Sequence, residues 1–391
     1  MPSFNKPSRI VVTCSKRLSA FLETEIIELG FKIKSVFPTG VELNGTLNDC
    51  IRLNLHLRCA SQILFSLNAF QCDNADELYR NILQIQWESI IEKDGYFSIT
   101  SHVNNPTINN SLFANVRVKD AIADCFRSKY NIRPDSGSDL NKTVINLFWK
   151  EDRAEIFIDT SGETLSKHGY RRIPGKAPML ESLAAATLLA MKWDRKTSFV
   201  NPMCGSSTLA IEATMLATNR FPGLFRDNYG FMHIVGYDKT FFENEKEKLE
   251  NQIKNIPGLK IIATDISEDA VNISKINAAA AGVSELIEFA VCDFAETHIP
   301  ENEHGIIFFN PEYGERMGNV MELEETYARM GDFMKKKCEG YLGYVFTGNL
   351  NLSKKIGLKP KRKMEFYTGK IDCRLLEYEL YSGSRRVDNH Q

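Results

Sequence analysis

The hydrophobic and polar positions of the chain follow one pattern up to about residue 175 and a different pattern after it. In the first part, alternating stretches predict strands, and stretches with an apolar residue every three or four positions predict helices. Residues 17–29, for example, place Leu18, Leu22 and Ile26 on one helical face. We therefore expect strands and helices in the first part without the regular alternation of a parallel sheet.

The predicted elements of the first part make two α+β units. The first unit has a strand, a helix, two strands and a long second helix over residues 47–70. The second unit has a helix, a strand, a helix, and two strands over residues 143–150 and 153–160, and it ends near residue 163.

Strands and helices alternate after this point. This alternation predicts a doubly wound, mostly parallel sheet. The predicted strands are 197–201, 259–267, 286–294, 306–310 and 341–349, with an antiparallel pair over 363–373 and 374–381 at the end. Residues 220–255 are too long for a simple connection and predict an ordered, partly helical insertion.

The composition is that of an ordinary globular protein. Of the 391 residues, 43% are hydrophobic and 25% are charged, and the net charge of −2 gives no global sign of nucleic-acid binding. No apolar run approaches the roughly 20 residues that cross a bilayer, and no signal peptide is recognisable, so we expect a cytoplasmic protein without a membrane partner. The nine cysteines are scattered, which predicts reduced thiols and no metal site.

Four candidate functional positions fall where predicted parallel strands end. They are a turn around Gly205, then Asp265, then Asp293, and finally Asn310 with the three residues that follow it. Ligands of open parallel sheets bind outside these carboxyl ends. Each position alone is weak evidence of a ligand site, since an aspartate at a strand end is more often a helix cap. The four positions together predict a ligand site.

The first turn argues against two common nucleotide sites. A nicotinamide site would need G-x-G-x-x-G with an acidic residue about 20 positions later, but only Gly205 is present and Asp265 follows 60 residues on. A P-loop would need a lysine after the turn, which is also missing.

Methyl transfer to an exocyclic amine is a reaction in which the Asn-Pro-x-Tyr segment would have a defined chemical role. The Asn310 side-chain oxygen and the Pro311 carbonyl oxygen would accept hydrogen bonds from the two N–H groups of the amine. This would point the lone pair of the amine at a sulfonium methyl group. Tyr313 would stack on the base. This chemistry needs neither a metal nor a covalent nucleophile.

At this point the chain resembles the bacterial ribosomal RNA guanine-N2 methyltransferases with an N-terminal THUMP domain. The matching segments are LETEIIELGF, GVELNG, KHGYRRIPGKAPMLESLAAATLL, NPMCGSSTLAIEATMLA, FPGLFR, TDISEDAVNISKINAAAAGV, NPEYGERMG and IGLKPKRKMEFYTGKIDCRLLEYEL. The resemblance covers nearly the whole chain.

The resemblance implies an α/β fold with three parts: a ferredoxin-like unit over residues 1–64, a THUMP RNA-binding domain over 65–165, and a Rossmann-like methyltransferase domain over 166–391. It implies S-adenosylmethionine as cofactor and structured RNA as substrate, with methyl transfer to guanine N2, most simply in 23S ribosomal RNA. The implied cofactor residues are Asn201, Pro202, Met203, Cys204, Gly205, Ser206, Ser207, Thr208, Asp265, Ile266, Asp293 and Phe294. The implied catalytic residues are Asn310, Pro311, Glu312 and Tyr313.

Three residues depart from the family pattern. Asn201 stands where an acidic residue is usual, Ser207 where glycine is usual, and Glu312 where a second proline is usual. Glu312 is either a tolerated loss of rigidity or a carboxylate that accepts from the N1–H and N2–H edge of guanine.

Several basic residues are candidate RNA contacts. Residues 354–370 hold seven lysines or arginines and one glutamate, and the alternative to RNA binding is a solvated surface. The candidates are Arg171 and Arg172 in the linker, Lys119, Arg127 and Lys129 in the THUMP region, Arg316, and Lys359, Lys361 and Arg362. For the linker pair the alternative is a bridge between domains.

Two other functions remain open from the sequence. One is a THUMP-type methyltransferase acting on tRNA, and the other is an RNA-binding or ribosome-assembly protein that has lost catalysis.

Overall fold

A computed structural model describes residues 4–108, 110–301, 304–313 and 320–381. The chain forms two compact units, of which one comprises Met1–Gly169 with Phe221–Gln252 and the other Tyr170–Arg220 with Ile253–Gln391. Both units combine helices with β-sheets, as the expected α/β fold requires.

The first unit is built on one mixed sheet of eight strands. The strands are β1 (Ser8–Thr13), β2 (Ile33–Phe37), β3 (Gly40–Gly45), β4 (Gln62–Gln71), β5 (Tyr96–Asn104), β6 (Asp135–Gly137), β7 (Thr143–Lys150) and β8 (Arg153–Asp159). Their order in the sheet is β2-β3-β1-β4-β8-β7-β5-β6. The helices are α1 (Ser19–Glu28), α2 (Leu47–His56), α3 (Ala75–Leu83) and α4 (Ser111–Tyr130).

The predicted helix over residues 47–70 is wrong in its second half. Helix α2 begins at a capping box between Thr46 and Asp49 and ends at His56, and the chain then forms β4. Residues of β4 pair with β1 on one side and β8 on the other. The sheet therefore decides the structure of an apolar segment whose local pattern also suits a helix.

The insertion after residue 220 is ordered and partly helical, as predicted, and it belongs to the first unit. It contains two 3-10 turns, Pro222–Phe225 and Gly230–His233, and helix α5 (Lys239–Glu250). A Cβ atom at Gly223 would lie 2.4 Å from the Leu55 Cα, so only glycine permits this close approach.

The second unit is a seven-stranded sheet with helices. The strands are β9 (Ser198–Pro202), β10 (Ile261–Asp265), β11 (Glu288–Val291), β12 (Gly305–Phe309), β13 (Leu342–Thr347), β14 (Arg362–Thr368) and β15 (Ile371–Glu379). The helices are α6 (Glu181–Met191), α7 (Thr208–Ala217), α8 (Glu268–Ala280), α9 (Val320–Lys337) and α10 (Leu350–Ser353).

The sheet order is β11-β10-β9-β12-β13-β15-β14, and the first five strands in this order are parallel. The order reverses between β9 and β12, which is the place where doubly wound folds bind ligands. Tyr327 and Met330 of α9 pack against Phe309 and Val345 of the sheet in the core.

The largest differences from the predicted strand boundaries in this unit lie at the end of β11 and at the final hairpin. Strand β11 ends at Val291, so Asp293 caps a 3-10 turn over Phe294–Glu296 instead of ending a strand. The final strand pair turns at Gly369 and Lys370, not after Cys373, because Thr368 pairs directly with Ile371.

In the described ranges, no helix is long and apolar enough to cross a membrane. The same part of the chain holds no group of three or more His, Cys, Asp or Glu side chains placed to bind a metal ion. All nine cysteines are free thiols.

Candidate active site

Asn201 joins the two strands between which the sheet order reverses. It lies near the end of β9, is 1% exposed, and its Nδ2 donates a hydrogen bond of 2.9 Å to the Phe308 carbonyl oxygen of β12. Its Oδ1 is buried without a hydrogen-bond partner among the described residues. A buried acceptor without a partner is costly, so this oxygen suits a donor from a bound ligand.

The loop between β9 and α7 is held in an unusual backbone conformation. Met203, Gly205 and Ser207 all have positive φ, at 56°, 58° and 54°. The Cys204 amide donates to the Thr264 carbonyl oxygen at 2.9 Å, which ties the loop to β10. A Cβ at Gly205 would have no atom within 4 Å, so the backbone there faces open space beside the N-terminus of α7.

Burial raises the pKa of Cys204 to about 11. The thiol therefore stays protonated at neutral pH, and Cys204 is not an activated nucleophile.

Asp265 organises this loop from the end of β10. Its Oδ2 accepts from the Gly205 amide at 2.9 Å and its Oδ1 from the Ser267 amide at 3.0 Å. Each oxygen retains a further lone pair, and the side chain remains partly exposed. Ile266 next to it is 73% exposed, which leaves an apolar side chain open at the same edge.

Asp293 forms an ion pair with Arg329 of α9, at 2.8 Å between Oδ1 and Nη2. Burial acts to raise the pKa of Asp293, but hydrogen bonds from Arg329 and from the Ala295 amide outweigh it and lower the pKa. The guanidinium also lies 4.9 Å from the ring centre of Phe294, whose side chain is buried. The carboxylate is therefore ionised and fixed in place, with Oδ2 left as an acceptor.

The Asn310 to Tyr313 segment follows β12 directly. Pro311 is buried, Asn310 and Tyr313 are half-buried, and Glu312 is exposed. Within the described part of the chain, the Asn310 amide group has no hydrogen-bond partner, so its oxygen is available as an acceptor.

Two residues outside the predicted site hold this segment. The hydroxyl of Tyr327, a buried side chain of α9, donates to the Glu312 carbonyl oxygen at 3.3 Å and lies 2.9 Å from the Thr347 hydroxyl. A Cβ at Gly348 would lie 3.0 Å from the Tyr313 ring, so this ring packs on the bare backbone after β13. Neither Tyr327 nor Gly348 belongs to a recognisable motif, and only the fold brings them to the segment.

The residues present fit S-adenosylmethionine. Asn201 Oδ1 provides a buried acceptor for an ammonium group, Asp265 provides carboxylate oxygens for ribose hydroxyls, and Asp293 provides one for an adenine amine. The open backbone at Gly205 leaves space for the ligand between them.

The linker residue Arg171 is committed to partners inside the second unit. Its Nη2 donates to the Met179 carbonyl oxygen at 2.6 Å and to the Thr208 hydroxyl at 2.9 Å, and it pairs with the buried Glu181 at 3.4 Å. Arg171 thus fixes the first residue of α7. The neighbouring Arg172 exposes its side chain, while its amide donates to Asn277 Oδ1 at 2.9 Å.

The other basic candidates differ in their partners. Arg127 pairs with Asp124 at 2.9 Å, Lys129 with Glu88 at 2.7 Å and Lys361 with Glu379 at 2.8 Å. Arg362 Nε donates to Glu377 at 2.8 Å. Lys119 is half-buried and Lys359 is exposed, and Arg316 lies outside the described residues.

Three family models match the chain in succession. The model described as the RlmL ferredoxin-like domain matches residues 9–64, the THUMP domain matches 72–159, and the RMKL-like methyltransferase domain matches 168–377. The last match alone covers more than half of the chain.

A curated relative is similar over nearly the whole chain. The ribosomal RNA large subunit methyltransferase K/L of Syntrophotalea carbinolica is 32% identical over 385 residues, which are 96% of this chain and 54% of the relative. The chain therefore spans about half the length of the curated relatives it matches.

Two solved structures share the fold. A candidate methyltransferase complexed with SAH has a TM-score of 0.87 and 24% identity, with 97% of this chain and 100% of the other covered. A structure described as a predicted N6-adenine-specific DNA methylase from Listeria monocytogenes has a TM-score of 0.84 and 28% identity, with 96% and 97% covered.

Proposed function

This chain belongs to the RMKL-like methyltransferase family, and we propose on that premise that it transfers a methyl group from S-adenosylmethionine to the exocyclic N2 amine of a guanine in RNA. One observation carries the proposal. The unpartnered Asn310 amide follows β12, and β12 is tied through Phe308 to Asn201 at the point where the sheet order reverses. A base amine and a cofactor could therefore meet at one edge of the sheet.

On the cofactor side, we assign three anchors. Asn201 Oδ1 would accept from the methionine ammonium, Asp265 from the ribose hydroxyls and Asp293 from the adenine amine. When bound, S-adenosylmethionine supplies an electrophilic methyl group on a positively charged sulfur.

On the amine side, Asn310 and Pro311 do the orienting. Their oxygens would accept hydrogen bonds from the two N–H groups of the base amine, so that the amine lone pair points away from both oxygens. Tyr313 would stack on the base. Held by Asn310 and Pro311, the amine nitrogen would be the nucleophile for the methyl group that the cofactor supplies, and the electron pair of the carbon–sulfur bond would stay on sulfur. The methylated nitrogen loses one proton to water.

The substrate we propose is large-subunit ribosomal RNA, in the cytoplasm where that RNA is made. The names of the curated relatives support this choice, and so does the THUMP match over residues 72–159. Because the chain spans about half of those relatives, its own activity has to be measured directly. The adenine N6 amine is the second candidate, since the 28% identical structure from Listeria monocytogenes is described by that specificity.

Two measurements on the purified protein test the proposal. Calorimetry should show S-adenosylmethionine binding, and nucleoside analysis of in-vitro transcribed large-subunit ribosomal RNA should then show N2-methylguanosine. An Asn310→Ala variant should retain cofactor binding and lose product, because only the amine acceptor is removed. N6-methyladenosine as the product would replace guanine by adenine in this proposal, and cofactor binding without any methylated RNA would refute catalysis on this substrate.

A further inference from the structure

The hairpin of β14 and β15 extends past the edge of the sheet where the five parallel strands end. Thr347 is the last residue of β13 and pairs with Arg374 of β15. Ile371 lies three residues nearer the hairpin turn, so the tip reaches about 10 Å beyond that pairing. This is the edge that carries Asn310 and Asp265, and we refer to it as the carboxyl edge.

The hairpin tip contacts the proposed base-binding segment at Gly348. A Cβ built there would lie 2.7 Å from Ile371 Cγ2 and 3.0 Å from the Tyr313 ring. The side chains of Ile371 and Tyr313 therefore both pack against the backbone of Gly348, which has no side chain of its own. The tip thus stands directly beside the ring proposed to stack on the target base.

The turn at the tip presents one lysine in a defined place. Gly369 and Lys370 form a two-residue connection between the paired residues Thr368 and Ile371. Gly369 has a φ of +60°, which glycine adopts without strain. Lys370 is exposed, and no carboxylate in the described ranges lies within ion-pair distance of it.

The other end of the same basic segment is arranged differently. Lys361 and Arg362 pair with Glu379 and Glu377, and Arg362 lies six residues from Thr368, or about 20 Å along the strand. Their charges are largely compensated there, and they lie away from the carboxyl edge. The basic residues of this segment are therefore divided between the two ends of the hairpin, with paired charges at one end and Lys370 at the other.

We propose that Lys370 binds an RNA phosphate next to the target nucleotide. This inference rests on the proposed function, and it names a contact that binds the RNA backbone beside Tyr313 without orienting the reacting base. An uncompensated lysine beside a base-stacking ring suits the sugar–phosphate backbone, since phosphate contacts fix the register of a nucleic acid on a protein.

The test compares two lysine variants of the full chain. Lys370→Gln should raise the Kd for in-vitro transcribed large-subunit ribosomal RNA by about 3- to 10-fold and reduce the slope of log K against log salt by about one. Its KM for RNA should rise by the same factor with kcat little changed. The matched control is Lys359→Gln, which also removes an exposed charge but lies just before β14, away from the carboxyl edge, and should therefore alter Kd less than twofold.

Three outcomes would overturn the inference: an unchanged Kd for Lys370→Gln, an equal effect of Lys359→Gln, or a parallel loss of S-adenosylmethionine affinity in calorimetry. The third would mean that Lys370 acts on the fold of the site. Wild-type methylation in the same reactions separates this inference from the proposed function. An inactive wild type refutes the function, whereas an active wild type with an unaffected Lys370→Gln variant refutes the phosphate contact alone.

Discussion

The hydroxyl of Tyr327 donates a hydrogen bond to the Glu312 carbonyl oxygen at 3.3 Å and links helix α9 to the segment that follows β12. Burial raises the pKa of Tyr327, so the hydroxyl remains a donor at every working pH. The carbonyl belongs to the residue immediately after Pro311. Tyr327 is therefore placed to set the direction of the proposed amine acceptors without touching substrate.

Tyr327→Phe should lower kcat about 10-fold and leave S-adenosylmethionine affinity unchanged, because it removes the hydroxyl that supports the 310–313 segment and alters none of the proposed cofactor anchors. The lost buried hydrogen bond should also cost about 1 kcal/mol of unfolding free energy. Tyr341→Phe is the control, since its hydroxyl donates to the Pro300 carbonyl oxygen at 3.1 Å from an equally buried position. Equal kcat losses in the two variants would show that the effect is one of general stability.

Ser207→Gly should stabilise the second unit. Ser207 is fully buried with a φ of 54°, a left-handed conformation that costs a non-glycine residue about 1 kcal/mol or more. Glycine would remove that strain, while its larger unfolded-state entropy offsets part of the gain. Urea unfolding followed by Trp193 fluorescence measures the change. Ser206→Gly, at a buried neighbour without positive φ, should destabilise instead, and stabilisation by both changes would contradict the strain argument.

The alternating second half of the chain was predictable because parallel strands buried on both faces give short apolar runs that end in polar residues. The strand ends at Asp265 and Asn310 follow from that rule. The fold class and the family resemblance are confirmed by the comparisons, whereas the roles of the site residues stay predictions.

Long-range pairing explains what the sequence did not predict. Residues 62–71 have an apolar pattern that suits a helix, and they become β4 because β1 and β8 offer hydrogen-bond partners on both sides. Tyr327 reaches Glu312 from 15 positions away, and Arg329 reaches Asp293 from 36 positions away. No local motif encodes either contact.

The stability of the first unit should fall as pH rises from about 4 to 8. Burial raises the pKa of Asp159 to about 7, while the unfolded chain has the ordinary value of about 3.9. A raised pKa in the folded state favours the protonated form, so this contribution is fully present below pH 4 and is lost as pH passes through 7. Asp159→Asn should flatten this decline, measured by urea unfolding with Trp87 and Trp149 fluorescence. An identical pH dependence of the two proteins would mean that Asp159 titrates normally.

Glu312 stands where the family usually has a second proline, and it is either a tolerated substitution or a carboxylate that recognises guanine. Its main chain is held by Tyr327, but its side chain is exposed and free to meet an incoming base. If the carboxylate accepts from the N1–H and N2–H edge of guanine, Glu312→Gln should cut kcat/KM by 10-fold or more, because the amide turns one acceptor into a donor facing a donor. Glu312→Pro, which restores the usual residue of the family, should then cut it far less in the same RNA methylation assay. Equal, small effects of the two changes would show that the residue is a tolerated substitution. Cofactor binding should be unchanged in both variants, since no anchor of S-adenosylmethionine is altered.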